Sequence, residues 1–190
     1  MEGINQQDMV MRIEINMSVA VIVDVQERLF HYVQEHEHLA VNLITLIRGM
    51  QALKVPLLRT QQYTRGLGPT VRSVGEALDG VPVIEKISFS CCDEPAFMQA
   101  LEATERRQVI LAGIEAHVCI LQTALDLSGG GYEPIVVWDC VSSRKEHDLV
   151  IALQRLQTEG IRVTTYESVL FELCRYAGND PFREILSLVK

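Results

Sequence analysis

The sequence is short of the features that mark membrane, nucleic-acid-binding and disulfide-stabilised proteins. No apolar run in its 190 residues approaches the roughly 20 residues that a membrane-spanning helix needs, and residues 1–17 lack the apolar core of a signal peptide. A net charge of -8 disfavours a groove for nucleic acid, and the five cysteines have no framework-like spacing. We therefore expect a soluble cytoplasmic protein with free thiols and without nucleic-acid or membrane partners.

Signals for a bound metal or nucleotide are equally scarce. The five histidines, at positions 31, 36, 38, 117 and 147, are not grouped with cysteines or carboxylates at metal-ligand spacing. The glycines within 66–68 and 129–131 do not stand between a strand and a helix, as a phosphate-binding loop requires. The sequence thus predicts neither a metal nor a cofactor.

Six short apolar segments alternate with segments of helical periodicity. We predict strands at 19–24, 56–60, 81–84, 109–112, 135–138 and 161–165. This alternation is typical of a three-layer α/β fold, in which helices cover both faces of a doubly wound, mostly parallel sheet. A length of 190 residues suits one domain, here 18–190, preceded by an N-terminal extension over 1–17.

Capping residues predict where three of the helices begin or end. A helix over 118–127 is predicted to stop at the glycines of 129–131, and Asp93 is predicted as the N-cap of a helix that starts near Pro95. Ser143 and Glu146 have the spacing of a capping box, which predicts a helix from there to about Leu156.

Residues capable of acid–base or nucleophilic chemistry follow the predicted strands. Asp24 ends strand one, Lys86 follows strand three, Cys119 follows strand four and Asp139 ends strand five. Ligands of doubly wound sheets bind at the carboxyl ends of the strands, where the strand order reverses. With the order 3-2-1-4-5-6, strands one and four flank that point, so Asp24 and Cys119 are predicted to face each other across it.

Cys119 is the candidate nucleophile because it begins a helix directly after a strand and a turn at Gly113. Backbone N–H groups and the helix dipole at such a position favour thiolate over thiol, and the same N–H groups suit an oxyanion. Asp24 is the preferred base and Lys86 the cation that stabilises both groups. His117 is the alternative base, although side chains two positions apart on a helix point to different sides. Taken singly, each residue has a structural alternative: a buried thiol, a turn-capping aspartate or a solvated lysine.

With Asp24, Lys86 and Cys119 in this chain order, the sequence resembles the isochorismatase-like cysteine hydrolases, the superfamily that includes nicotinamidases. The resemblance extends over the chain from about Val19 onward. The motifs that carry it are Val21-Ile-Val-Asp-Val-Gln26, Ile84-Glu-Lys-Ile-Ser-Phe89, Leu111-Ala-Gly-Ile-Glu-Ala-His-Val-Cys119 and Asp139-Cys-Val-Ser-Ser-Arg144. The segments Tyr63–Pro69 and Glu167–Leu173 resemble the isochorismatase-domain branch more than nicotinamidases proper.

The resemblance implies a mechanism and a pocket. Asp24 takes the proton of Cys119, Lys86 orients the pair, and the thiolate attacks an amide carbonyl to form a thioester that water hydrolyses. A cis peptide between Ile114 and Glu115 accompanies an oxyanion hole made by the backbone N–H groups of Glu115 and Cys119. Five further residues are expected to contact the substrate: Gln26, Gln62, Tyr63, Phe89 and His117.

Two departures from related enzymes limit the choice of reaction. Nicotinamidases hold a metal through an Asp-x-His motif after strand two and a further histidine, whereas this chain has Thr60-Gln-Gln-Tyr63 there. A metal-independent enzyme is therefore expected. True isochorismatases are able to lack the cysteine, because vinyl-ether hydrolysis needs only an acid, so Cys119 favours amide hydrolysis. The alternatives are vinyl-ether hydrolysis with Asp24 as acid and a quiescent binding protein. Because family members are commonly dimers or tetramers, a homo-oligomer is expected.

Overall fold

Six parallel strands form one sheet in the computed structural model, which describes residues 12–178 and 180–190. Their order across the sheet is β3-β2-β1-β4-β5-β6, and every neighbouring pair is parallel. The strands are β1 (Ser18–Val23), β2 (Leu57–Gln62), β3 (Val83–Lys86), β4 (Gln108–Ile114), β5 (Glu133–Ser142) and β6 (Arg162–Thr164). The predicted fold class and strand order are both confirmed.

Helices cover both faces of this sheet and complete the three layers. They are α1 (Glu27–Phe30), α2 (His36–Ala52), α3 (Thr64–Leu67), α4 (Arg72–Ala77), α5 (Pro95–Glu102), α6 (Leu121–Gly129), α7 (Glu146–Thr158), α8 (Tyr166–Cys174) and α9 (Asp180–Val189). The alternating side chains of β1 divide the core between the faces. Ala20 and Ile22 pack with α2, α4, α8 and α9, whereas Val19, Val21 and Val23 pack with α5, α6 and α7. Among the described residues, no helix has the length and apolar character needed to cross a membrane.

The two central strands, β1 and β4, are buried along their whole length. Their continuous apolar sequences suit strands that helices cover on both sides. Val21 lies opposite Leu111, and Val23 lies opposite Gly113. Gly113 has a φ of 121°, and a Cβ there would lie 2.1 Å from the carbonyl oxygen of Val23, so only glycine fits. The segment that follows β4 is thereby held beside the end of β1.

The structure corrects three predicted boundaries at the carboxyl edge of the sheet. β2 continues to Gln62, two residues beyond the predicted end of the strand at Thr60. β5 continues past a register irregularity to Ser142, so Asp139 lies within the strand and not at its end. The helix predicted from Val118 begins at Leu121, because a π-helical turn over Ala116–Ile120 precedes α6. Such turns are single-turn insertions that are frequent at functional sites.

Two predicted helix caps are also wrong. Glu146 begins α7 without a side-chain cap, because the hydroxyl of Ser143 hydrogen-bonds to the ring of His117 instead. Glu94, and not Asp93, is the N-cap of α5. A capping pattern marks residues that are able to cap, but a competing tertiary partner decides whether they do.

Residues 12–17 of the predicted N-terminal extension pack against the domain. Ile13 is 4% exposed, and its backbone N–H donates to the carboxylate of Glu172 at 2.8 Å. The backbone N–H of Glu14 donates to the side chain of Gln108, also at 2.8 Å. Residues 1–11 lie outside the described part of the chain. The division of the chain at residue 17 stays a prediction.

Candidate active site

Asp24 follows the last residue of β1 and is held by two side chains from the neighbouring strands. Its φ of 53° lies in the left-handed region, which turns the carboxylate away from the strand direction. Oδ1 accepts a hydrogen bond from the hydroxyl of Thr60 in β2 at 2.8 Å, and Oδ2 accepts one from Nζ of Lys86 in β3 at 2.6 Å. Asp24 is only 1% exposed, so the carboxylate depends on these partners rather than on solvent.

Lys86 is a fully buried cation at the end of β3, with an exposed fraction of 1%. Besides Asp24, its ammonium group donates to Oε1 of Gln62 at 2.8 Å and to the carbonyl oxygens of Ser88 and Phe89, each at 3.1 Å. Burial has the largest single effect and lowers the pKa of Lys86, but Asp24 together with the nearby acidic groups of Cys119 and Cys91 leaves that pKa above its ordinary value. Lys86 is therefore charged at neutral pH and is not a solvated surface lysine.

Cys119 lies in the π-helical turn, four residues after a cis peptide bond between Ile114 and Glu115. The cis bond that the resemblance implied is thus present. Its thiol and the carboxylate of Asp24 line the same cavity, and Cys119 is 7% exposed. Strand β4 delivers it to the same edge of the sheet as Asp24, so the two residues face each other as predicted.

The protonation state of Cys119 differs from the expectation drawn from its position near a helix start. Burial raises the pKa of the Cys119 thiol well above its ordinary value, and the negative charge of Asp24 raises it further. Lys86 lowers the pKa, but by less than burial or the charge of Asp24 raises it. The site thus holds a neutral thiol in the same cavity as a buried carboxylate, and two such groups are able to act as nucleophile and general base.

A cavity of about 180 Å³ opens onto this group. Its polar wall contains Asp24, Gln62, Glu115 and Cys119, and its apolar wall is formed by Leu29, Leu67, Phe89, Ile114 and Val118. Two predicted substrate contacts, Gln62 and Phe89, lie in this wall. A larger cavity of about 470 Å³ between α2, β5 and α7 contains Trp138 and Asp139 but none of the nucleophile, base or cation.

Three predicted substrate contacts do not line the cavity. Gln26 is fully buried behind it, where its amide holds the backbone of Gln62 through two hydrogen bonds of 2.7 and 3.0 Å. Tyr63 is half exposed, and its backbone N–H donates to the carbonyl oxygen of Lys86. His117 points to the other side of the nucleophile's turn, as its spacing from Cys119 suggested.

Two polar side chains, Glu115 and His117, fix the turn that carries Cys119 to α7 and to the connection between β5 and α7. The carboxylate of Glu115 accepts hydrogen bonds from the backbone N–H and the Nε of Arg144, at 3.1 and 3.0 Å. Nδ1 of His117 lies 2.9 Å from the hydroxyl of Ser143, and its Nε2 lies 3.8 Å from the carboxylate of Asp148. His117 therefore contacts the connection and α7, and it does not line the cavity that contains Cys119.

Sequence reasoning missed Thr60 and most of the apolar wall. The signal for Thr60 was weak, because a threonine in a short strand is ordinary and its contact with Asp24 depends on the pairing of β1 with β2.

The hydroxyl of Thr60 also lies 4.0 Å from a second thiol, that of Cys91, and burial raises the pKa of Cys91 to about 11. Leu29 and Leu67 reach the cavity from α1 and α3, two short helices that the sequence did not reveal.

The residues present do not fit the metal that nicotinamidases bind. Nicotinamidases have metal ligands directly after strand two. At these positions this chain has Gln61, which donates to the hydroxyl of Thr70, and Gln62, which accepts from Lys86. Within residues 12–178 and 180–190, no group of three His, Cys, Asp or Glu side chains is placed to hold a metal ion.

A doubly wound parallel sheet that joins a cysteine, a carboxylate and a lysine at its switch point defines the class of isochorismatase-like hydrolases. A family model described as "Isochorismatase domain" matches residues 18–168, and the chain belongs to this family. Isochorismatase domain-containing protein 2 of Macaca fascicularis is 36% identical over 174 residues, which cover 91% of this chain and 83% of that protein.

Solved structures agree with this assignment. The MAR1 ribonuclease of Caenorhabditis elegans matches with a TM-score of 0.89 and 33% identity, over 94% of this chain and 92% of that one. YcaC from Pseudomonas aeruginosa, solved with hexane-2,5-diol and covalent acrylamide, matches with a TM-score of 0.89 and 25% identity over 95% and 92% of the two chains. YcaC from Escherichia coli, described as an octameric hydrolase of unknown specificity, has a TM-score of 0.90 and 25% identity over 96% and 91%.

Proposed function

We propose that this protein is a metal-independent cysteine hydrolase that cleaves a carbon–nitrogen amide bond through a thioester on Cys119. The observation that carries the proposal is that the Cys119 thiol shares a cavity with the buried carboxylate of Asp24, which Lys86 holds at 2.6 Å. Vinyl-ether hydrolysis needs an acid but no nucleophile, so it leaves this thiol without a role. A quiescent binding protein has no need of a buried ion pair beside a cysteine in a cavity.

In the first half of the reaction the thiol proton passes to Asp24 while the sulfur of Cys119 bonds to the amide carbonyl carbon. The electron pair of the carbonyl moves to oxygen, and the backbone N–H groups of Glu115 and Cys119 stabilise that oxyanion. When the oxyanion collapses, the C–N bond breaks and Asp24 returns its proton to the leaving nitrogen. Lys86 holds the carboxylate in place throughout.

In the second half, water replaces the amine beside Asp24. Asp24 takes a proton from the water while the oxygen of the water attacks the thioester carbonyl, and the C–S bond then breaks. The thiolate of Cys119 then regains the proton from Asp24, the carboxylic acid leaves, and the site returns to its starting state.

Ammonia release from a panel of amides, with mass spectrometry of the quenched protein, tests this function. We expect an acyl adduct on Cys119 and a loss of about 10³-fold or more in kcat for Cys119→Ala. Cys92→Ala is the matched control, because Cys92 is a partly buried thiol outside the cavity. If Cys119→Ala instead retains activity and cleaves isochorismate, ether hydrolysis with Asp24 as acid replaces the proposal.

We also propose that the protein acts in the cytoplasm as a homo-oligomer. The five free cysteines support a reducing compartment, and the octameric YcaC of Escherichia coli supports assembly. Sedimentation of the purified protein tests the assembly, and a single species with the mass of one chain would contradict it.

A further inference from the structure

We infer that the substrate is the primary amide of a short, uncharged, apolar carboxylic acid. The inference rests on the proposed hydrolase function and adds to it the size, charge and leaving group of the molecule that is cleaved. Three features of the cavity support it: its volume, the absence of a free cation in its wall, and the burial of the proton donor.

The volume limits the substrate to a few heavy atoms. The cavity measures about 180 Å³, whereas cavities for drug-sized ligands measure roughly 300–1,000 Å³. At about 30 Å³ for each water in the liquid, this cavity holds the equivalent of about six waters. The apolar wall of Leu29, Leu67, Phe89, Ile114 and Val118 surrounds most of that space. A short aliphatic acyl group has the size and character that this wall accepts.

The charges around the cavity disfavour a substrate that carries a carboxylate. None of the residues in its wall is cationic, and two of them, Asp24 and Glu115, are acidic. Lys86 lies behind Asp24 and already donates to that carboxylate, to Gln62 and to two backbone carbonyls. A substrate carboxylate would thus lose its hydration and gain no partner. Isochorismate, which carries two carboxylates, is a poor match for such a wall.

The leaving group must be small because its proton comes from a buried carboxylate. Asp24 is 1% exposed, and both of its oxygens already accept hydrogen bonds from Thr60 and Lys86. The leaving nitrogen has to lie against this carboxylate to receive its proton, inside a cavity of about 180 Å³ that also holds the acyl group. Ammonia fits there, whereas a secondary amide would require room for an alkyl group beside Asp24.

Hydrolysis of two amides with equal numbers of heavy atoms tests the charge and size limits. Isocaproamide ends in an isopropyl group, and succinamate replaces that group with a carboxylate. We expect kcat/KM for succinamate to be at least about 100-fold lower than for isocaproamide, since its charge is buried without a partner. We also expect N-butylisobutyramide to be cleaved far more slowly than isobutyramide. Equal rates within either pair would overturn the corresponding part of the inference.

A cation placed in the cavity wall should change this preference. Phe89 is 55% exposed and its backbone carbonyl accepts from Lys86, so Phe89→Lys alters the side chain and keeps that contact. We expect the ratio of kcat/KM for succinamate over isocaproamide to rise about 5- to 10-fold, the effect of a partly exposed ion pair. Ile87→Lys is the matched control, because Ile87 is 68% exposed and outside the wall. An equal rise in both variants would show that long-range charge, and not this cavity, sets the preference.

Alkylation separates a failure of this inference from a failure of the proposed function. Iodoacetamide and iodoacetate differ in charge but little in size, and both react with the same thiol, so their rate ratio does not depend on how much of it is ionised. We expect the ratio of iodoacetamide to iodoacetate rates at Cys119 to exceed that at partly exposed Cys92 by about 10-fold or more. If this holds while no amide is hydrolysed, the proposed function fails and the cavity's preference stands. If amides are hydrolysed but the iodoacetamide-to-iodoacetate ratios at Cys119 and Cys92 are equal, the proposed function stands and the inferred preference for uncharged substrates fails.

Discussion

Replacement of Lys86 by methionine probes whether the buried ion pair holds the site together. Methionine has nearly the length of lysine without its charge, so the change leaves the core filled and removes the partner of Asp24. The ammonium group also satisfies Gln62 and the carbonyl oxygens of Ser88 and Phe89, which lose their donor in the variant. The carboxylate of Asp24 keeps only the hydroxyl of Thr60.

The expected loss of stability is large because no solvent screens the pair. The side chains of Lys86 and Asp24 are 0% and 1% exposed, and removal of one member of a buried pair costs about 3–5 kcal/mol. For a domain of this length, each kcal/mol lowers the melting temperature by roughly 2–4 °C, so a decrease of about 6–20 °C is expected.

Urea unfolding at pH 7 measures this loss directly, with Lys145→Met as the matched control because Lys145 is exposed. The double variant Asp24→Asn/Lys86→Met should be more stable than Lys86→Met alone, since it leaves no unpaired charge in the core. The deficit of Lys86→Met should also shrink as the pH falls toward about 4, because a buried carboxyl without a cation is cheaper in its protonated form. A deficit below about 1 kcal/mol at pH 7, or one that does not change with pH, would refute the reasoning.

Four further variants test the roles of single groups. Thr60→Val should lower kcat/KM by about 10- to 100-fold, since a hydrogen bond to a charged group contributes about 1.5–3 kcal/mol; an unchanged rate in a folded variant would show that Asp24 needs no such support. Asp24→Asn should abolish hydrolysis yet speed the alkylation of Cys119 at pH 7, because the carboxylate raises the pKa of that thiol; slower alkylation would show that Asp24 favours the thiolate instead. His117→Ala should lower kcat about 10-fold with little change in KM, through misplacement of the nucleophile's turn. Asp148→Asn should leave kcat nearly unchanged, because its contact with His117 is long and partly exposed; equal losses in both would indicate a catalytic relay.

The parts of the fold that the sequence predicted are those whose cause is local. The apolar runs of β1 and β4 have no polar alternation, and such strands belong at the centre of a sheet that helices cover on both sides. Adjacent parallel strands bring together the residues that come after them in the chain. The sequence therefore predicted that Asp24, after β1, lies near Cys119, after β4. Lys86 joined them because β3 ends at the same edge of the sheet.

The parts that the sequence did not predict depend on contacts between distant segments. The π-helical turn before α6 has no sequence signature, and it moved the helix start from Val118 to Leu121. Ser143 has the spacing of a capping residue, but its hydroxyl hydrogen-bonds to His117 instead. These two residues become neighbours only in the folded chain. The thiolate predicted for Cys119 was wrong for the same reason, because position near a helix start says nothing about the burial that raises its pKa.

The two charged groups of the site cancel each other, and the third group is neutral. Lys86 is cationic, Asp24 is anionic and Cys119 is a neutral thiol, so the group carries no net charge before substrate enters. Each step of the proposed reaction moves one proton between sulfur, carboxylate and the reacting nitrogen or oxygen, while Lys86 keeps its own. The pKa of Lys86 is raised above its ordinary value of 10.5, so its contribution to stability is complete below that pH and is lost only as the pH rises further. The ammonium group of Lys86 keeps its proton and lies outside the cavity wall. It therefore holds the base without offering a positive charge to the substrate, which agrees with the uncharged amide that we propose.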